Sequence, residues 1–389
     1  MLEWLIMRIL AIETSCDDTC IAIIEVFSKE KLQFKILSDI VSSQVEIHKK
    51  WGGVFPAMAK REHQKNLVVV LKEALEKAKL LQKLENPLKI NRNKTLRKLL
   101  EREECLTKKL TKFLKNYKKP NIDLIAVTTG PGLEPCLWSG INFAKALAYY
   151  WSLSIIPVNH IEAHIFANFV GSNSKLFPAI CLVVSGGHTQ LILMPKIGSY
   201  KILGETRDDA AGECFDKVAR ILGLGYPGGP IISQLAAELK PKTKNQKPKI
   251  ILPRPMINHK DYDFSFSGLK TAVLYNFKTQ SKKTQKSKRY IKEICKETQQ
   301  AVIDVLLSKT KRAAKDLKAK TIILGGGVVA NKELRKQFKK AFLKEGLKLF
   351  FPELKFSTDN AVMVGIAACF SIAKTRRWKE IEANANQRI

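Results

Sequence analysis

The sequence is short of acids, of paired cysteines and of long apolar runs, and each shortage removes a class of protein. Asp and Glu number 36 against 67 Lys and Arg, giving a formal charge of +31. A field of that sign favours a polyanion such as nucleic acid. A lysine-rich composition bias gives the same number, so the charge needs a site beside it. None of the eight cysteines sits in a Cys-x-x-Cys pair. That argues against a zinc ribbon or disulfide framework and for reduced thiols in a cytoplasmic protein. No stretch approaches the ~18 apolar residues of a membrane span. The first seven residues lack a basic region and a small-residue cleavage site, so no signal peptide is expected, and Met7 is an alternative start. The Gly-x4-Gly-Lys-Ser/Thr pattern is absent, which disfavours a P-loop NTPase.

What is present suits a folded enzyme. At 389 residues the chain is long enough for two lobes, and 45% hydrophobic with 26% charged residues allows a core without disulfides. Residues 8–26 read as strand, tight turn, strand, with the turn at Thr14–Asp18. Residues 179–194 repeat the plan around Ser185-Gly-Gly-His-Thr189. Thr321-Ile-Ile-Leu-Gly325 reads as a buried strand, followed by glycines and a helix start. Two similar hairpins about 170 residues apart predict a duplicated α/β architecture. Helical spacing is expected over 59–83, 140–152 and 208–222. Residues 84–119 read as a basic insertion, either a helical hairpin or a loop. The lysine-rich runs 240–249 and 277–290 read as solvated connections that could add to an RNA-facing surface.

The chemistry-bearing residues begin with His160 and His164. Four residues apart on a helix, they share one face and can share a metal. Glu162 falls about 200° round the helix from His160, unlike the base of a His-Glu-x-x-His protease. Asp359, in the polar turn Ser357-Thr-Asp-Asn360, is the candidate third ligand. A helix N-cap is its alternative role. Two His and one carboxylate leave open metal positions, suiting Fe(II) or Zn(II). The turns Ser185-Gly186-Gly187 and Gly325-Gly-Gly327 let backbone amides approach an anion. Asp216 or Glu213 could accept hydrogen bonds from ribose hydroxyls, and Arg61 and His63 could face a phosphate or RNA. Cys16 lies in the first turn with no histidine near it in sequence and is read as a packed turn residue.

In order along the chain, the segments Ile12-Glu-Thr-Ser-Cys-Asp17, Gly52-Gly-Val-x-Pro56 with Arg61-x-His63, and Gly130-Pro-Gly-Leu133 resemble one family, the tRNA N6-adenosine threonylcarbamoyltransferases. Asn159-His-x-x-x-His164, Val184-Ser-Gly-Gly-His-Thr-Gln190, Asp208-Asp-Ala-Ala-Gly-Glu213 and Phe215-Asp-Lys217 continue the match. Tyr226-Pro-Gly-Gly-Pro230, Phe264-Ser-Phe-Ser-Gly-Leu-Lys270, Gly326-Gly-Val-x-Ala-Asn331 and Thr358-Asp-Asn360 complete it. The resemblance spans roughly residues 8–370. It implies two actin-like (ribonuclease H-like) lobes with a central nucleotide cleft, expected as 1–161 with 362–389, and 162–361.

The implied reaction transfers a threonylcarbamoyl group from threonylcarbamoyl-AMP to N6 of the adenosine at position 37, in tRNAs reading codons that begin with adenine. His160, His164 and Asp359 match the positions of one divalent metal per subunit, iron(II) with zinc(II) as the alternative. Val183, Val184, Ser185, Gly186, Gly187, Asp216, Gly229 and Asn331 match positions that contact the adenylate. His188 resembles the bacterial form, whose implied partners are an inactive paralogue and a small P-loop ATPase. The chain departs from the family in Ala57, where Glu is usual, in Ser357 for Cys and in Ala163 for Gly. An actin-like ATPase or kinase and a non-catalytic scaffold paralogue are the competing readings. Inactive paralogues typically lack the two histidines and Asp359.

Overall fold

The computed structural model describes residues 5–28, 32–87, 94–170, 177–239 and 250–389. Residues 1–4, 88–93 of the insertion and the lysine-rich run 240–249 lie outside them. In chain order the elements are β1 (Leu5–Glu13), β2 (Asp18–Ser28), β3 (Leu32–Ser43), α1 (Val45–His48), α2 (Pro56–Lys77), α3 (Lys94–Leu99), α4 (Glu104–Asn116), β4 (Leu124–Gly130), α5 (Glu134–Trp151), β5 (Ser154–Asn159) and α6 (His160–Phe166). Then follow β6 (Ala179–Val184), β7 (Thr189–Lys196), β8 (Ser199–Glu205), α7 (Ala211–Ile221), α8 (Gly228–Ala237), α9 (Ser267–Thr279), α10 (Lys282–Gln285), α11 (Lys288–Asp316), β9 (Thr321–Gly325), α12 (Lys332–Leu343), β10 (Lys348–Phe350) and α13 (Ala361–Cys369).

The chain divides into two compact units. The first comprises residues 1–46, 54–173 and 359–389, and the second 47–53 and 174–358. The first sheet has the order β3-β2-β1-β4-β5, with β1–β2 and β2–β3 antiparallel and β1–β4 and β4–β5 parallel. The second sheet, β8-β7-β6-β9-β10, repeats that order and polarity. Each is a three-stranded antiparallel meander extended by two parallel strands, the duplicated α/β plan expected from the sequence. The sequence pattern marks the hairpin of each meander but not its third strand. β3 and β8 are edge strands in these sheets, with mixed burial instead of an apolar run.

Central strands are buried on both faces, so they read as continuous apolar runs: Ile9 to Ile12 and Ala179 to Val184 are all fully buried. In the first unit α13 covers β1 and β2, while α2 and α5 contact β2 and β4. Gly365 lets α13 lie this close, because a Cβ there would stand 2.5 Å from Ile24. The first unit runs on to residue 173, past the expected boundary at 161. Helix α6 packs on α13, and the Phe166 ring stacks on Phe370 at 4.6 Å. Beyond α13 the chain forms only short 3-10 turns. It then crosses the end of β4, where Asn384 N donates to Thr129 O at 2.8 Å and Gly132 N to Ala385 O at 3.2 Å.

Of the two expectations for 84–119, the helical pair holds for the described part. In α4 the residues Leu106, Leu110, Phe113 and Leu114 recur at helical spacing and are buried with Leu67 and Leu71 of α2. The lysines of this stretch lie mostly on the other face, where Lys108 and Lys112 are exposed. The insertion is thus part of the core. Leu110→Ala is expected to destabilise the protein by about 2–5 kcal/mol, and Lys112→Ala by less than about 0.5 kcal/mol. Urea denaturation of both variants checks this, and equal effects would place α4 outside the core.

Candidate active site

In the first unit, α6 starts where β5 ends because Asn159 caps it. Its Oδ1 accepts from Ile161 N at 2.9 Å and Glu162 N at 3.1 Å. Starting the helix at residue 160 puts both histidines on one face, ring centroids 4.6 Å apart and planes at 75°. At α13 the cap is Asn360, whose Oδ1 accepts from Met363 N at 2.9 Å. The capping role therefore belongs to the neighbour of Asp359. The Asp359 Oδ1 lies 3.3 Å from His164 Nε2 and 3.6 Å from His160 Nε2. One ligand atom from each of the three side chains falls within 4.8 Å of the others. Glu162 takes no part in this cluster; its carboxylate meets Lys374 at 3.5 Å.

Behind His160 stands Glu13, the last residue of β1 and fully buried. His160 Nδ1 donates to Glu13 Oε2 at 3.1 Å, Thr128 Oγ1 donates to the same oxygen at 2.6 Å, and Ser15 N donates to Oε1 at 2.6 Å. This bond fixes the His160 ring so that Nε2 faces Asp359. Burial opposes charge on His160, but Glu13 and Asp359 outweigh it and push the imidazole up to about 9. His164 is driven the other way, first by burial and then by His160. Both ring nitrogens of His164 are buried without a hydrogen bond among the described residues. Cys16 is half-buried, and burial, then Asp17, push its thiol well above its usual range, which disfavours the reactive thiolate.

The role expected for His63 does not hold. It is fully buried, with Nδ1 2.8 Å from Thr19 Oγ1 and Nε2 2.9 Å from Cys16 O. It braces the β1–β2 turn instead of facing a phosphate, whereas Arg61 on the same helix is exposed. Glu13 is the residue that spacing alone passes over. Its signal is an acid closing an otherwise apolar, doubly buried strand.

In the second unit the glycine-bearing segments meet at the carboxyl ends of β6 and β9, where open α/β sheets bind ligands. Gly326 has φ +92°, and a Cβ there would lie 2.3 Å from Val184 O. Gly212, at the start of α7, would put one 2.5 Å from Ser185 O, and its amide donates to that oxygen at 3.1 Å. Gly228 would put one 2.4 Å from Phe215 O, and its amide donates to Asp216 Oδ1 at 2.7 Å. These three glycines are packing requirements. Gly186, Gly187 and Gly229 differ, since a Cβ on any of them would meet nothing within 4 Å.

Asn331 caps α12, accepting from Leu334 N at 3.0 Å, and its Nδ2 donates to Gln299 at 2.7 Å. Glu213 pairs with Lys217 at 3.0 Å. Asp208 accepts from the hydroxyls of Ser265 and Ser267 at 2.6 Å each and from the amides of Phe266 and Ser267 at 2.8 and 3.2 Å. Although burial opposes it, these bonds hold its carboxyl below the usual range and tie residues 265–267 to the α7 entrance.

Residues 35–85 and 98–366 match the family described as tRNA N6-adenosine threonylcarbamoyltransferase, leaving 86–97 of the insertion outside the match. The chain is similar to proteins of that name from Thermosipho africanus, 44% identical with 93% of each chain covered, and from Syntrophomonas wolfei, 43% identical with 97% of this chain and 96% of the relative covered. A relative from Bacillus subtilis is 40% identical, with 95% and 91% covered.

The two kinds of glycine should separate by experiment. Gly326→Ala forces an L side chain into a left-handed backbone against a carbonyl, and a loss of about 1–3 kcal/mol is expected. Gly186→Ala is expected to leave stability within about 0.5 kcal/mol. Chemical denaturation of the two variants without ligand decides the matter, and a Gly186→Ala loss as large as that of Gly326→Ala would contradict the assignment.

Proposed function

This chain belongs to the tRNA N6-adenosine threonylcarbamoyltransferase family, and from that premise we propose a donor, a target and a metal for its reaction. It is an acyltransferase that modifies tRNA. The donor is threonylcarbamoyl-AMP, and the target is N6 of the adenosine at position 37 in tRNAs reading codons that begin with adenine. His160, His164 and Asp359 would hold one divalent metal, iron(II) on the resemblance. The observation that carries this reading is the convergence of His160 Nε2 and His164 Nε2 on Asp359 Oδ1, at 3.6 and 3.3 Å, in a largely buried cluster. His164 Nε2 is buried and makes no well-formed hydrogen bond, a cost of about 1–3 kcal/mol that a metal ligand does not incur. The donor set fits such an ion, with Glu13 as the outer carboxylate that orients one imidazole.

The chemistry asks for activation, because an exocyclic adenine amine is a weak nucleophile. The N6 nitrogen bonds to the carbamoyl carbon, the carbon–oxygen bond to phosphate breaks, AMP leaves and the amine loses a proton. When bound, the metal would supply a Lewis acid that polarises oxygens of the donor. Val183 to Gly187, Asp216, Gly229 and Asn331 are the residues proposed to hold the adenylate. Gly186 and Gly187 are exposed residues whose backbone suits its phosphate.

The inactive paralogue and the small P-loop ATPase are proposed partners on the resemblance alone. Among the described residues no helix is long and apolar enough to cross a membrane. The cytoplasm is the proposed location, from the reading of tRNA as substrate. The intact ligand trio speaks against the scaffold reading, and an ATPase would turn over ATP without modifying tRNA.

His164→Ala is expected to lose the metal and the transfer together while tRNA binding persists. Glu13→Ala is expected to weaken metal affinity about 10–100-fold, with Glu13→Gln closer to wild type. Metal stoichiometry by elemental analysis, read beside product yield with donor supplied, tests both. Full metal content and full transfer in His164→Ala would sink the assignment.

A further inference from the structure

We propose that the turn joining α9 to α11 is a docking surface for the phosphate backbone of tRNA. This rests on the reading of tRNA as substrate and extends it to a surface. Between residues 278 and 289 stand Lys278, Lys282, Lys283, Lys286, Lys288 and Arg289, and the sequence holds no acid from 271 to 292. All six are exposed. Among the described residues Arg289 alone of the six pairs with an acid, Glu293 at 3.1 Å. Several exposed cations on other helices are neutralised: Lys72 meets Glu76 at 3.4 Å, Lys311 meets Glu345 at 2.7 Å, and Lys336 meets Glu333 at 3.7 Å. Like charges crowded on a turn repel one another, and a polyanion relieves that repulsion.

The turn is also held in shape, and by uncharged groups. Gln285 Nε2 donates to the carbonyls of Phe277 at 2.9 Å and Gln280 at 3.1 Å. Ser281 Oγ accepts from Thr284 N at 3.2 Å, and Tyr290 OH donates to Asn276 Oδ1 at 2.8 Å. The Phe277 and Tyr290 rings stack at 6.3 Å, with Tyr290 only 8% exposed. The backbone is therefore anchored in the core of the second unit while the ammonium groups stand outside, held in place but not compensated. Tyr275, 64% exposed, lies one helical turn before Lys278 on the same face of α9 and offers a ring to a ribose or an unstacked base. Five of the six cations are lysines. They are point charges suited to phosphates, and they give affinity and orientation without reading sequence.

The test is tRNA binding by the full-length chain across a salt series, comparing wild type with Lys282→Glu/Lys283→Glu/Lys286→Glu and with the same three positions changed to Gln. The charge-reversed variant is expected to bind at least tenfold more weakly. The slope of log affinity against log salt should fall by nearly three, from about 0.9 per phosphate contact. The Gln variant should lose the same slope with a smaller loss of affinity. In the transfer assay KM for tRNA should rise while kcat at saturating tRNA and the thermal midpoint hold. Unchanged affinity and slope would overturn the proposal. So would loss of binding to phosphatidylserine vesicles with tRNA binding intact, since that assigns the patch to a lipid surface. Failure of wild type to modify tRNA would instead count against the functional reading, because the binding comparison needs no turnover.

Discussion

An ionised carboxylate at the end of a doubly buried strand is stable only where donors meet it, because taking a bare charge out of water costs several kcal/mol. Glu13 is in that position, and the first unit is arranged around its needs. The parallel pairing that sets Ile12 beside Val127 brings the next residue, Thr128, to its oxygen. The turn after β1 returns the Ser15 amide to it. The third donor is His160, delivered because Asn159 starts α6 at the edge of the same sheet. Once Nδ1 is committed to Glu13, Nε2 is left facing Asp359 and His164. The geometry that could bind a metal is thus a consequence of satisfying one buried acid.

The second unit uses the same strand order for a different purpose. Its sheet also ends in a cluster of turns, but these carry glycines where the first unit carries charge. Gly212, Gly228 and Gly326 are set by contacts in which a single methyl would collide with a carbonyl or helix backbone. They let β9 lie against Val184 of β6, α7 against Ser185, and α8 against Phe215 of α7. Asp208 adds to this by gathering four donors from residues 265–267, which explains physically why that motif and the α7 entrance occur together.

Much of this was legible in the sequence where the signal is periodic or local. Doubly buried strands such as Ala179–Val184 announce themselves as apolar runs, and the four-residue spacing of His160 and His164 follows from the pitch of a helix. The insertion shows its core face through Leu106, Leu110 and Phe113. What stayed hidden depends on contacts between distant residues. Nothing local says that Glu13 will meet a histidine 147 positions away, or that His63 will turn inward to Thr19 and Cys16. The edge strands β3 and β8 escaped because an edge need not be apolar. Asp359 was ambiguous in sequence because Asp and Asn are both good caps, and only the geometry gives that role to Asn360.

The central claim is that the ion sits on these three side chains. Anomalous scattering from crystals of the metal-loaded protein, collected on both sides of the iron absorption edge, tests it most directly. The account predicts one strong peak about 2.0–2.2 Å from His160 Nε2, His164 Nε2 and an Asp359 carboxylate oxygen. A peak at other residues, or a transfer-competent crystal with no anomalous signal between α6 and α13, would contradict it.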